Sequence, residues 1–188
     1  MSTETPSDLI ELANRLADAG GDVIRPYFRQ PIAIDTKADA SPVTIADREA
    51  EQAIRAVLAV ARPDDGIIGE EFGSEKTGAE YVWVIDPIDG TRSFITGRPI
   101  FGTLIALVHN GAPILGVIDQ PIGGERWVGL RGHGATLNGN PIRVRECPTL
   151  ADATIGTTAP DLFDLAGAKS WQQTAAAARH VVYGGDCY

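Results

Sequence analysis

Tyr81-Val82-Trp83-Val84-Ile85-Asp86-Pro87-Ile88-Asp89-Gly90-Thr91 is the stretch on which the reading of this chain turns. Its first five residues are apolar and rich in β-branched and aromatic side chains, as expected of a buried strand. Two carboxylates three positions apart then follow at the strand exit, where Pro87 and Gly90 predict a tight turn. Such a turn can aim Asp86 and Asp89 at one ion, with the Ile88 carbonyl between them free to coordinate. Oxygen-only ligands suit Mg²⁺. Gly90 and Thr91 are placed to open a helix, whose first N–H groups favour a phosphate.

The residues upstream supply two further acids. Ile67-Ile68 reads as a short strand running into Gly69-Glu70-Glu71, so Glu70 at that strand end would reach the same ion. Apolar spacing predicts a helix over Ser7 to Phe28, weakened at Gly20-Gly21. A second helix is expected from near Thr44, with Asp47 three positions on as in a capping box. Its inward face would be Ile45, Ala50, Ala53, Ile54, Val57 and Leu58.

Downstream, Phe101 to His109 and Pro113 to Asp119 flank Asn110-Gly111, a strong hairpin signal. Arg126 to Leu130 continues the meander. Residues 132–140 read as a glycine-rich loop before a short strand at Ile142 to Arg145. A strand at Ala153 to Thr157, a helix at Trp171 to Ala178 and a strand at Val181 to Tyr183 complete the pass. A junction near Pro148 to Leu150 divides the chain into 1–150, carrying the metal site, and 151–188.

Bulk properties limit what the chain can be. It has 188 residues and a formal charge of −9, which argues against a nucleic-acid surface. A bound divalent ion would reverse the local field for an anionic substrate. No apolar run is long enough to span a bilayer, and no membrane partner is expected. Met1 to Ser7 lacks the features of a signal peptide, and Cys147 and Cys187 are the only cysteines. A cytoplasmic protein is the expectation.

Trp83 to Thr91 resembles the signature of the inositol monophosphatase family. Pro42-Val43-Thr44-Ile45-Ala46-Asp47, Gly69-Glu70-Glu71 and Gly132-His133-Gly134-Ala135 accompany it in family order. Haloacid-dehalogenase-type phosphatases differ, since their two acids lie one position closer. The resemblance implies an α/β layered fold, the αβαβα sandwich of the sugar phosphatases. It implies Mg²⁺, on the order of two or three ions per site, held by Glu70, Asp86, the Ile88 carbonyl and Asp89. Glu70 and Thr91 would orient and deprotonate the attacking water, with Asp47 holding the Thr91 hydroxyl. Gly90, Thr91 and Arg92 would bind the substrate phosphate, and Lys37 would steer a metal or phosphate or stand as an exposed loop lysine. A homodimer is also implied.

Thr91-Arg92-Ser93-Phe94-Ile95-Thr96-Gly97, Asp119-Gln120-Pro121 and Gly184-Gly185-Asp186-Cys187-Tyr188 look most like histidinol-phosphate phosphatases within that family. Asp186, expected at a helix start, would contact the cationic substrate or serve as an N-terminal helix charge. Inositol-1-phosphatase and 3′,5′-bisphosphate nucleotidase are the competing activities. Family members continue into a segment with a further Asp in a Trp-Asp-x-Ala motif, and here Trp171 is followed by Gln172. The expectation is therefore a C-terminally shortened chain with little activity alone and a tendency to self-associate. A non-catalytic metal- or partner-binding role is the other class of function.

Overall fold

The computed structural model describes residues 5–37 and 42–187. In the order of the chain, α1 spans Pro6–Tyr27, β1 Ile34–Thr36, β2 Pro42–Thr44, α2 Ile45–Ala61, β3 Gly66–Gly69, β4 Gly73–Glu75 and β5 Tyr81–Asp89. Next come α3 at Thr91–Ile95, β6 at Gly102–His109, β7 at Ala112–Gln120, β8 at Glu125–Leu130, β9 at Gly134–Leu137 and β10 at Asn140–Ile142. The last elements are β11 at Thr154–Thr157, α4 at Leu165–Ala177 and β12 at His180–Tyr183. Two compact units result, 1–142 and 143–188. The first ends with β10, upstream of the junction expected near 148–150.

An eight-stranded sheet ordered β10-β9-β8-β7-β6-β5-β3-β4 dominates the first unit. Only β3 and β5 pair in parallel; the other neighbours are antiparallel. Helices α1 and α2 pack on each other and on this sheet, enclosing Leu16, Ile54, Leu58, Trp83, Ile105 and Leu107. Trp83 is fully buried, and its indole N–H donates to Asp65 Oδ2 at 2.9 Å. Gly20 is buried where α1 meets α2; a Cβ there would lie 3.1 Å from Ile54 Cδ1. The first glycine of the pair that weakens the helix on propensity thus lets a neighbouring helix approach.

Capping boxes start both long helices, Thr5 with Asp8 and Thr44 with Asp47. The inward face of α2 differs from expectation at its start. Ile45 points out, and Ala46, Asp47 and Glu51 are buried instead. The periodicity assigns apolar residues inward, but here two carboxylates face the interior because each holds backbone N–H groups there.

Asn110 and Gly111 form the two-residue turn between β6 and β7, both with positive φ (48° and 77°). This is the primed turn that the Asn-Gly pair predicts. Gly111→Ala is expected to cost about 1 kcal/mol, lowering the melting temperature by roughly 2–4 °C. A thermal scan showing no decrease would contradict the strained-turn account. The same rule explains a departure further on. Asn138 and Gly139 turn with φ of 49° and 77°, so the expected loop contains a hairpin of β9 and β10. Strand β10 accordingly ends at Ile142, where a strand was expected to begin.

In the second unit β11 and β12 pair in parallel, connected through α4. Asp164 caps α4 by accepting from the Gly167 N–H at 2.7 Å, so the helix begins earlier than Trp171. Trp171 stacks on Phe163 and meets Tyr183 edge-on. None of the described residues of this unit is buried. Among the described residues of the chain, no helix is long and apolar enough to cross a membrane.

Candidate active site

The parallel pairing of β3 with β5 creates the site. Register Gly69↔Ile85 brings the two strand ends side by side, and the Glu70 N–H donates to the Ile85 carbonyl at 3.2 Å. Glu70 is thereby placed against Asp86. Strand β5 does not end at Ile85 in a turn, as expected; it continues to Asp89, with a register shift against β6 between Asp86 and Asp89. Pro87 and Ile88 are both buried, which breaks the alternation and leaves the flanking Asp86 and Asp89 only partly covered. A proline without an N–H and a deep apolar anchor at Ile88 favour a bulged strand over a free turn.

The bulge is fixed from beneath. Thr103, fully buried on β6, donates its hydroxyl to the Pro87 carbonyl at 2.8 Å. Ile88 packs with Ile24, Ala46, Ala50, Phe94 and Phe101. Phe94 meets Phe101 edge-on at 5.0 Å, and Phe28 leans on both. These aromatics anchor the one-and-a-half turns of α3, whose N-cap Gly90 has φ 86°. A left-handed residue there is what glycine provides.

Asp47 has two tasks. Its Oδ2 accepts from the Thr44 N–H at 2.8 Å and from the Thr44 hydroxyl at 2.6 Å. Its Oδ1 faces the Thr91 hydroxyl at 3.4 Å, while that hydroxyl lies 3.1 Å from the Ile88 carbonyl. The shorter contact makes the carbonyl the better acceptor in this state, with Asp47 close enough to compete. Burial raises the Asp47 carboxyl above its ordinary range.

Asp86 is the most perturbed group. Burial, the hydrogen bond with Glu70 and the charges of Glu70, Asp89 and Asp47 push it up to about 8. Its Oδ1 is buried without a hydrogen-bond partner among the described residues. Crowded carboxylates with an orphaned oxygen fit a hard divalent cation, which would relieve both the repulsion and the missing contact. No three acidic, histidine or cysteine groups among the described residues already converge as a cage, however. Lys37 explains part of this. Its ammonium bridges Glu70 Oε1 at 2.7 Å and Glu71 Oε1 at 2.6 Å. Burial alone would lower the Lys37 pKa, but the two carboxylates more than reverse that and raise it. Lys37 is therefore a built-in counter-cation rather than an exposed loop lysine, and its contact with Glu70 is to Oε1.

The remaining predicted residues divide. Arg92 is exposed and makes no ion pair with an acid among the described residues. Asp186 lies in the second unit in irregular backbone, not at a helix start. Sequence reasoning missed Glu51, whose carboxylate accepts from the Glu71 N–H at 2.7 Å and the Phe72 N–H at 3.3 Å. It also receives the Arg55 guanidinium at 2.8 Å. A Cβ on Gly69 would overlap this carboxylate, so Gly69 is part of the same fitting. The signal available was an acid on the inward stripe of an amphipathic helix. Thr103 was missed too; a hydroxyl on a buried strand asks for an acceptor.

Comparisons with known proteins agree with this geometry. The sequence profile described as "Inositol monophosphatase family" matches residues 5–179. Over 198 aligned residues the chain is 48% identical to the bifunctional phosphatase IMPL2, chloroplastic, of Arabidopsis thaliana. That match covers all of this chain and 57% of the relative. A histidinol-phosphatase of Chlorobaculum parvum is 41% identical, over 95% of this chain and 70% of its own length. Among solved structures, an inositol monophosphatase from Zymomonas mobilis superposes with a TM-score of 0.86 at 52% identity, over 98% of this chain and 72% of that one. The chain thus spans a little over half to about three quarters of these relatives. With its mixed sheet, flanking helices and acid-bearing bulge, this chain belongs to the inositol monophosphatase family.

Proposed function

We propose that the chain carries the metal- and phosphate-holding part of a Mg²⁺-dependent phosphomonoester hydrolase, with histidinol phosphate as its preferred substrate. The carrying observation is the buried Asp86 Oδ1, left without a hydrogen-bond partner among the described residues beside the charges of Glu70, Asp89 and Asp47. Family members use divalent metal ions. Glu70, Asp86, Asp89 and the Ile88 carbonyl would hold Mg²⁺ here. When bound, the ion neutralises phosphate charge and lowers the pKa of the attacking water.

The chain's own residues do the rest. With the Ile88 carbonyl given over to the ion, Asp47 Oδ1 would accept from the Thr91 hydroxyl so that its oxygen lone pair faces the water. Glu70 takes the proton as the water oxygen bonds to phosphorus. The ester P–O bond opposite breaks, and the alkoxide is protonated from solvent. The first-turn N–H groups of Gly90 and Thr91, with the Arg92 guanidinium, grip phosphate oxygens. The exposed position of Arg92 in the first turn of α3 supports this role. The names of the relatives support phosphate-ester substrates but divide between histidinol and inositol. A homodimer belongs to the same reading, and sedimentation velocity decides it.

Phosphate release should be measured on histidinol phosphate, inositol 1-phosphate and a 3′,5′-bisphosphate nucleotide, with Mg²⁺ binding followed separately by calorimetry. Turnover of histidinol phosphate at least about tenfold faster than the others is expected, a difference of about 1.4 kcal/mol. Faster release from inositol 1-phosphate would overturn the substrate. Mg²⁺ held without turnover of any of the three would favour a binding role over catalysis.

A further inference from the structure

The residue beneath the acid bulge does more there than satisfy its own hydroxyl. Asp86 pairs with Leu104 and Asp89 with Gly102, so Pro87 and Ile88 stand together against Thr103. Two residues facing one disrupt the ladder at that point. Pro87 has no N–H of its own with which to bond to β6. Its carbonyl accepts instead from the fully buried Thr103 hydroxyl at 2.8 Å.

The surroundings of Thr103 leave that hydroxyl little choice of direction. A β-branched side chain is stiff about χ1. Its methyl group faces α1, where a Cβ on Gly20 would lie 3.7 Å from Thr103 Cγ2. With the methyl against the helix, the hydroxyl is turned to β5. Serine would keep the donor without the methyl, and valine would keep the shape without the donor.

Holding the Pro87 oxygen fixes more than one atom. A peptide unit is planar, so the bond from Pro87 to Ile88 is set as a whole. The Ile88 side chain is held separately, packed with Ile24, Phe94 and Phe101. Fixed at its nitrogen and at its side chain, Ile88 presents its carbonyl to the Thr91 hydroxyl, 3.1 Å away. Asp86 and Asp89 leave the same unit on either side.

We propose that Thr103 is a positioning residue for the cation site, setting the Ile88 carbonyl and the carboxylates of Asp86 and Asp89 through the Pro87–Ile88 peptide. It touches neither substrate nor ion, and its role rests on the ligand set proposed for Mg²⁺. Groups that orient ligands from behind tune metal affinity strongly. A hydroxyl that only met its own need for an acceptor would affect stability and leave cation affinity alone.

The test compares Thr103→Val and Thr103→Ser with Ile105→Val, which trims the buried core on the same strand. Mg²⁺ affinity is measured by calorimetry where all the proteins are folded. The backbone carbonyl signals of Pro87 and Ile88 are followed by NMR in the metal-free proteins. Thr103→Val is expected to weaken Mg²⁺ binding at least about tenfold and to move both signals. Thr103→Ser should recover most of the affinity, and Ile105→Val should change neither reading. Unchanged affinity in Thr103→Val, or an equal loss in Ile105→Val, would overturn the proposal. If the unaltered protein held no Mg²⁺ while the signals moved in valine and returned in serine, the ligand set would fall and the positioning would stand. In the unaltered protein the Thr103 hydroxyl proton should give a slowly exchanging signal. Rapid exchange there would overturn the proposal without any variant.

Discussion

Asp86→Asn is expected to make the cation-free protein more stable near neutral pH while abolishing its stabilisation by Mg²⁺. The sign follows from proton linkage. Asp86 has its folded-state pKa raised to about 8 from 3.8, so between those values the folded state binds more protons than the unfolded one. Stability therefore falls as pH rises from about 4 to about 8 and levels off above. The shift caps the loss near 1.4 kcal/mol per unit, and after solvent screening about 2–3 kcal/mol is expected. Asparagine keeps the shape and removes the charge, so its profile should be flatter through that window. Denaturant melts at several pH values, with EDTA or with Mg²⁺, measure both effects. A wild-type profile flat between pH 4 and 8 would remove the electrostatic account. An asparagine variant that still gains stability from Mg²⁺ would remove Asp86 from the proposed ligand set. Phosphate release by the variant should fall at least about a hundredfold, in line with loss of a charge-stabilising group.

The second large effect concerns Glu51, which no reading of the site had included. Glu51→Ala leaves the N–H groups of Glu71 and Phe72 without their acceptor and takes from Arg55 its buried partner. Removing one member of a buried pair costs about 3–5 kcal/mol, because the charge left behind is no longer compensated. Arg55 keeps Glu75 and the Gly73 carbonyl, which places the expectation at the lower end. Glu75→Ala is the comparison, since that carboxylate is half exposed, and it should cost less than about 1 kcal/mol. Chemical denaturation of the two variants decides the matter. Equal effects would mean that Glu51 is not what holds the turn carrying Glu70.

Much of the fold was legible because its signals were local. Capping boxes, the Asn110-Gly111 turn and the apolar run before Asp86 each act within a few residues. The acids Asp47, Glu70, Asp86 and Asp89 were singled out for the same reason, each standing at or next to the end of an element. What escaped depended on partners distant in the chain. Whether Asp86 to Asp89 forms a turn or a bulge is decided by Thr103 and by the hole that receives Ile88. Lys37 could not be assigned without knowing that Glu70 and Glu71 fold back to it. Glu51 drew no role from the sequence, because the backbone it serves lies twenty positions away.

The lone parallel pairing in the large sheet has a kinetic consequence. Glu70 and Asp86 follow two separate strands, and it is the docking of β3 on β5 in the register Gly69↔Ile85 that sets them side by side. A slip by one residue would turn Asp86 to the opposite face and scatter the group. On the proposed ligand set, Mg²⁺ binding during refolding would report that docking event, a non-local step set apart from the local hairpins of the meander.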